Sequence, residues 1–593
     1  MPLSWRFLVL LGVFVLAAGV AWAAAVLHSA TWTEARQLDD IFPFYTWRIR
    51  PFSAADYAQL RGGLAWAAVA LYGAGAALLA TAAGRAEAVA LGREVRGAAA
   101  SLRAAYQGLT PTQRRHAAWG LAALTALRLY FSLTNPEYDD AVSYEVFVSK
   151  GLLATSSYYP IPNNHVFSNT ISWLFYQVSP GFWWSMRLPV LLLCTLATIG
   201  WLAGLTRWVG FRVAAVAVGL FSGLQLSLYH AGVGRGYWLL IGLAGMCFFA
   251  MLELLRPGGR HRAAWAAMAI AGALGCYTVP TFAYVLVSAF SWLGVAWLRR
   301  HHWAGLGRAV AVGAVVVGTA VALYAPLLLV SGIEKFTGNG FVAPLPPQAF
   351  WQGLPGYVWH TEGFLAGQRT LGALLTLSVL ALVAGLFWLK RQGHLPRVHC
   401  QRLQRVGQPA LWFMALPYVV LPAQRVFPPE RVMLYKSVFF FLLLGLVLDW
   451  ALTRWPVQGA RRLRLALLVA GLLFLSYETY SVVRVNPTAR STNGTYRAGV
   501  DWLAAHPAGP VLIPEPTHNL FFRFYAHPQQ RQRRWQFDYV QRPASRYAYV
   551  VAFPNKRGYF QPEFPFPPAY RNAEVEIYAV PAGFAFNSAG WLH

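Results

Sequence analysis

Residues 136–145 read PEYDDAVSYE, which places Glu137, Asp139, Asp140 and Glu145 within ten positions of a 593-residue chain holding only 22 Asp plus Glu. Adjacent carboxylates are one way to build a base. Like charges set side by side raise at least one pKa, which brings a carboxylate closer to useful basicity while its neighbour positions it. The same residues also have a plain structural use. Pro136 favours an extended residue before it and a helix start after it, so Asp139 and Asp140 would sit in a first turn, where a helix N-terminus favours negative charge. Both readings stand at this point. From Glu137 to Leu153, the positions of Ala141, Val142, Tyr144, Val146, Phe147 and Leu152 predict an amphipathic helix lying on a bilayer surface.

Further polar groups follow at intervals. Asn163, Asn164 and His165 stand beside apolar Phe167, Ile171, Trp173 and Leu174. A lone histidine is more often structural, but one that follows an acidic helix in the same segment is an even match for a site. YHAGVGRGYWLL (229–240) sets Arg235 in a turn between two apolar runs, where a planar guanidinium can hold phosphate oxygens bidentately. PPERVMLYKS (428–437) adds Arg431 and Lys436, and for Lys436 a snorkelling interfacial role is the simpler reading. Arg128 lies midway in an apolar run and needs a partner or a polar cavity.

The elements that must position these groups are membrane helices. Hydrophobic residues make up 57% of the chain and charged residues 12%, where a soluble protein carries about a quarter. Apolar runs begin near residues 7, 61, 116, 183, 213, 237, 263, 281, 309, 369, 409, 433 and 465. These predict a polytopic α-helical protein with about thirteen spans. The net charge of +27 does not point to nucleic acid, because Arg clusters such as 84–103, 256–262, 299–302, 390–405 and 453–464 fall in every second gap. That alternation puts them on the cytoplasmic side. Segments 134–182, 331–368 and everything after about 484 then lie outside. The first run resembles a signal peptide, although a start anchor fits the alternation better.

Three regions follow: an N-terminal pair of spans with a basic connector (1–115), a core of eleven spans with two large outside loops, 134–182 and 331–368 (116–483), and a polar, Pro-rich C-terminal region (484–593). In the last, GVDWLAAHP and HNLFFRFYAH read as helices and PVLIPEP, RWQFDYV, RYAYVVAF and EVEIYAV as strands, a small α/β domain. The 331–368 loop, rich in Gly, Pro and aromatics, suits a mobile cover over a cavity. Cys194, Cys247 and Cys276 fall in spans and Cys400 in a connector, so no structural disulfide is expected. Zinc, nucleotide and dinucleotide motifs are missing. An acidic pair can hold a divalent cation, but no further ligand set accompanies it.

Together these segments resemble the GT-C superfamily of membrane glycosyltransferases, in particular the protein O-mannosyltransferase and lipid A aminoarabinose transferase branch. YDDAVSYE matches the acidic pair of that branch's first large outside loop. PIPNNHVFSNTISWLFYQVSPGFWWSMRLPVLL is similar to its Asn/His element, helix, Gly turn and Arg-Leu-Pro entry, in which Arg187 is the arginine. GRGYWLL and PPERVMLY resemble two further landmarks, carrying Arg235 and Arg431. The likeness covers about residues 116–483. It implies an inverting transfer, outside the cytoplasmic membrane, of a sugar from a polyprenyl-phosphate carrier to a glycan, lipid or protein hydroxyl. Asp139 would be the base and Asp140 its orienting or proton-sharing partner. Tyr144, Asn164, His165, Arg187, Arg235 and Arg431 are the substrate- and phosphate-binding candidates. AlaValSer follows the acids where the aminoarabinose enzymes have an Arg, and Asn163 and Asn164 stand near their Glu-Lys pair. These departures bear on the phosphate contacts and the sugar. The rival readings are a transporter or flippase of lipid-linked saccharides, which would place charges near the midplane, and a non-catalytic envelope assembly protein.

Overall fold

The computed structural model describes residues 4–41, 52–338, 343–454, 456–531, 535–542, 546–554 and 560–587. Apolar runs become helices because a bilayer offers the backbone no water, so each segment must satisfy its own hydrogen bonds. Among the described residues ten helices are long and apolar enough to span a membrane. An eleventh span forms if Phe211–Gly223 and Gln225–Gly232, bent by 63°, are taken together. The runs at 116 and 263 also become helices, Pro111–Ser132 and His261–Thr278. The first holds charged Arg114, Arg115 and Arg128, and the second opens on His261 and Arg262 and is rich in Ala and Gly, so neither is as apolar as the ten. The chain is a multi-pass membrane protein.

Tyr237–Leu254 is the most enclosed span and packs against Leu188–Val209 and His261–Thr278. Ala54–Ala80 packs along one side against Trp5–His28 and is otherwise exposed, leaving Trp66 and Val69 facing outward. Ala82–Gln107 buries no residue at all. It rests across the ends of Leu188–Val209 and His261–Thr278 as an amphipathic surface helix, held by Arg262 Nε to Glu87 at 2.6 Å and by Arg262 Nη1 to Glu94 at 3.1 Å. Lys436, expected to snorkel, is instead buried inside Tyr435–Arg454. There it contacts the Glu362 carboxylate and lies 3.7 Å from the centre of the Tyr418 ring. A fixed acid partner removes the need to reach water.

Two other expectations change form. The 331–368 segment is mostly helix, Ile333–Thr337 and Pro347–Leu365, because its aromatics pack rather than hang free: Tyr357 stacks on Phe427 and its hydroxyl donates to Pro428 O at 2.6 Å. Residues 339–342 of that segment lie outside the described residues. Val457–Ala504 is one 48-residue helix, about 72 Å long at 1.5 Å per residue, and it carries the chain past residue 484 to the C-terminal sheet. That sheet has the order β2-β1-β3-β5-β4, with β1 (Pro510–Leu512), β2 (Gln536–Asp538), β3 (Tyr549–Ala552), β4 (Tyr570–Arg571) and β5 (Glu576–Ala579). β1 runs parallel to β2 and β3, and β5 antiparallel to β3 and β4.

Candidate active site

The acidic segment does not form one surface helix. A single turn, Tyr138–Val142, starts from extended Glu137, passes into a π turn at Ser143–Phe147 and a 3₁₀ turn at Val148–Lys150, and breaks at Gly151. Gly151 has φ +99°, a conformation glycine adopts without a Cβ penalty. Residues 140–148 are buried. Ala141, Val142, Tyr144, Val146, Phe147 and Val148 leave no continuous polar face for water, so the C-terminal helix Pro516–Arg531 covers the segment. Phe524 packs edge-on against Tyr144, and His527 Nδ1 comes to 3.0 Å from Glu145 Oε1. Burial pushes Glu145 up, but His527 and Lys150 outweigh it and hold its carboxyl below the ordinary Glu value.

The two adjacent aspartates receive different surroundings. Asp140 is completely buried; Arg187 Nη2 reaches its Oδ2 at 2.6 Å and the Gly234 amide donates to the same oxygen at 3.3 Å. Burial pushes Asp140 up, with Arg187 and the Gly234 amide opposing; Asp139 is the least of the contributions. The like-charge argument from sequence therefore names a minor cause. Asp139 keeps 44% of its side chain exposed and has Arg235 Nη2 at 3.9 Å. No side chain caps this short helix, so Asp140 is spent on an arginine and Asp139 is left facing the open.

Arg235 is a hub. Its Nη1 donates to Asn163 O at 2.7 Å and Ser143 Oγ at 3.1 Å, and its Nη2 lies 3.1 Å from His165 Nε2. The Gly236 amide lies 3.1 Å from His165 Nδ1. Both ring nitrogens thus face donors, and a neutral imidazole has only one acceptor nitrogen. Burial, then Arg235, His230 and Arg431, hold the His165 pKa well below its usual value. That environment favours the neutral ring, whose one acceptor nitrogen can serve either Arg235 or the Gly236 amide, and suits His165 to propping the loop. The glycines of GVGRG make this approach possible: a Cβ on Gly236 would meet Thr278 at 2.9 Å and His165 Nδ1 at 3.1 Å.

The other sequence candidates divide. Arg187 is committed to Asp140 and to Asn135 O at 3.3 Å. Asn164 donates to Thr155 O and Tyr158 O, at 2.9 and 3.1 Å, and accepts from Asn169, so it ties its own loop. Tyr144 gives its hydroxyl to Pro180 O at 2.6 Å within an aromatic cluster. Arg431 spends only Nε, on the Tyr237 hydroxyl at 2.9 Å, and remains half-buried, its two terminal nitrogens uncommitted among the described residues. Arg128 is buried against Thr198 Oγ1 at 3.0 Å and the Trp238 ring, a partner set without an acid.

Sequence reasoning did not single out Tyr237, His230 or Gly234. Tyr237 links Arg431 to His165, its ring 4.9 Å from the imidazole and 4.2 Å from that of His230. Their signal lay in the already quoted YHAGVGRGYWLL, where only the arginine drew attention. A cavity of about 590 Å³ lies against the 331–368 segment, between Pro347–Leu365, Arg369–Arg391 and Gln408–Gln424, lined by Leu354, Leu377, Leu411 and Met414. Among the described residues no three His, Cys, Asp or Glu side chains converge as metal ligands, and all four cysteines are free thiols.

Most of the architecture is similar to that of the ArnT from Cupriavidus metallidurans bound to undecaprenyl phosphate. The TM-score is 0.51 at 15% identity, covering 79% of this chain and 98% of that one. The apo form of that protein gives 0.49 at 15% identity over 78% and 98%. Arabinosyltransferase EmbB from Mycobacterium smegmatis gives 0.35 at 13% over 67% of this chain and 35% of that one. The likeness to the undecaprenyl phosphate-bound ArnT shows a shared fold. No protein-family model matches the sequence, and no curated protein matches it.

Proposed function

We propose that this chain is an inverting glycosyltransferase that moves a sugar from a polyprenyl-phosphate carrier to an acceptor hydroxyl on the outer side of the cytoplasmic membrane. The observation that carries the reading is the asymmetry of the aspartate pair: Asp140 locked by Arg187, Asp139 half-open beside Arg235. In the proposed step, Asp139 takes the proton of the acceptor hydroxyl as its oxygen forms a bond to the sugar's anomeric carbon. The bond from that carbon to the phosphate oxygen breaks on the opposite face, and the phosphate leaves with the electron pair. Asp140 acts through position, because an aspartate whose Oδ2 is held by a guanidinium and an amide anchors the turn that aims Asp139.

The leaving group needs cations more than an acid, since phosphate departs readily as an anion. Arg431 suits the task best, having a free guanidinium edge for bidentate oxygen contact. Arg235 is mostly consumed by Asn163, Ser143 and His165 and contributes charge and position. The 590 Å³ apolar cavity borders the helix whose His360 lies 3.1 Å from Glu430, next to Arg431. It suits a prenyl chain whose phosphate rests at that arginine. The ArnT structure holds undecaprenyl phosphate, a ligand of this class.

The site also weighs against the transporter reading, since its charges gather at helix ends and connecting turns. The test is transfer by the purified protein from a synthetic polyprenyl-phosphate sugar, with the product's anomeric configuration read by NMR. Inversion with release of polyprenyl phosphate supports the proposal. Retention, or passage of intact lipid-linked sugar across a vesicle bilayer without cleavage, opposes it.

A further inference from the structure

At the end of the helices remote from Asp139, two cavities share a wall. Leu188–Val209 starts beside Arg187 and ends beyond Arg207, which separates the two ends by about 30 Å at 1.5 Å per residue. The first cavity, about 570 Å³, is an apolar groove along Leu188–Val209 and Tyr237–Leu254, with Leu196, Gly200, Gly242 and Met246 in its lining and Leu102 of the surface helix at its margin. The second, about 280 Å³, is lined by Arg207, Trp208, Arg256, Arg402 and Arg405. The first volume is of the size that binds small molecules, and the second is smaller. Arg207 and Trp208 belong to both.

Charge at this end is unbalanced. Glu253 meets Arg207 at 2.8 Å, Arg260 at 3.4 Å and Arg256 at 3.9 Å. Asp449 meets Arg402 at 2.8 Å, Arg212 at 3.1 Å and His399 at 3.4 Å. Arg405 is exposed and meets no carboxylate among the described residues. Five guanidinium groups therefore share two carboxylates, and a sixth, that of Arg405, has none among the described residues. A basic bias at one membrane face accounts for cations there; it does not account for their convergence on a pocket continuous with an apolar groove.

The groove itself is built by missing side chains. A Cβ on Gly200 would meet nothing within 4 Å, and one on Gly242 would touch only Ala197 at 3.4 Å. Leu196 and Met246 are exposed on the bilayer-facing flank, so the groove opens to lipid. Trp208 stands at the junction, where an amphipathic ring suits the boundary between chain and headgroup.

We propose that these joined cavities hold one anionic glycerophospholipid, an acyl chain in the Gly200–Gly242 groove and the phosphodiester among Arg256, Arg402 and Arg405. A free phosphate would need the second cavity alone, and a zwitterionic lipid, which brings its own cation, would gain little from a cluster with more arginines than acids. The bound lipid would pin the surface helix Ala82–Gln107 to the ends of the spans it crosses.

The test uses the full chain in neutral detergent, titrated by native mass spectrometry with phosphatidylglycerol and with phosphatidylcholine of the same acyl chains. Phosphatidylglycerol should bind more tightly by about tenfold or more, given the attraction of each near-surface cation for anionic lipid. The double variant Arg256→Gln, Arg405→Gln should abolish that preference. Gly200→Leu adds bulk where space is open and replaces a poor helix former, so it should fold, yet weaken both lipids. Millimolar inorganic phosphate should fail to displace the lipid. Equal binding of the two lipids overturns the proposal. So does a preference that survives the arginine changes, indifference to Gly200→Leu, or displacement by inorganic phosphate.

Discussion

The two ends of the helix bundle use the same pair of chemistries in opposite proportions. Around the acidic turn, Asp140 meets Arg187 and Asp139 meets Arg235, and the same two arginines hold the carbonyls of Asn135 and Asn163. At the other end Glu253 and Asp449 are each shared among several cations. The first arrangement leaves the Asp139 carboxylate and the Arg431 guanidinium edge open, the second leaves only guanidinium groups open. Ion pairing as such does not mark a site in this protein; the group left over after pairing does.

The sharpest way to break the comparison is to break its most buried pair. Asp140→Ala or Arg187→Ala strands a charge with no water to solvate it, and removing one partner of a buried pair costs about 3–5 kcal/mol. Denaturation in detergent should show that loss, and replacing both by apolar residues should return much of it. If either single change were harmless to folding, Asp140 would not be the anchor described. Next comes Arg431→Ala. Losing charge-assisted contacts worth about 1.5–3 kcal/mol should lower transfer roughly 10- to 100-fold, with Arg431→Lys falling between. Unchanged kcat/KM would return the phosphate to Arg235.

A pH effect of moderate size follows from His165. Its folded pKa lies well below its ordinary value, so as pH falls below about 6.5 the unfolded chain gains a proton that the folded one refuses. Stability should therefore decline from pH 7 to pH 5, by at most about 1.4 kcal/mol per pH unit for this one group. His165→Asn should flatten part of that slope, and an identical slope would place the titration elsewhere. The smallest effect belongs to the opposite end. Arg256 is half-exposed and only 3.9 Å from a carboxylate already served by others, so Arg256→Gln should change folding stability by less than about 0.5 kcal/mol.

Much of this was legible in the sequence, for identifiable reasons. Every apolar run of adequate length became a helix, and the strands at 510–512, 536–538, 549–552 and 576–579 fell where β-branched and aromatic residues alternate. The two-residue strand Tyr570–Arg571 had no such pattern to betray it. The acidic turn was found because acids are scarce in this chain. Its burial was not, because the helix that covers it lies almost 400 residues later, and periodicity within 137–153 cannot register a lid from elsewhere. Arg235 was found for its charge, but its partners Asn163, His165 and Ser143 show it to be a holder of loops. Lys436 reads as an interfacial lysine until Glu362, 74 residues away, is brought beside it.

In the proposed reaction Asp139 is the base and Asp140 its anchor. Carrier binding and turnover should be measured on one sample of Asp139→Asn, with a polyprenyl-phosphate sugar as donor. The exchange keeps size, the helix start and the Asp140–Arg187 pair. Binding should be close to wild type and transfer lower by about 10²–10⁴, the range a positioned general base contributes. An Asp139→Asn protein that binds the donor and transfers sugar at the wild-type rate would contradict the account.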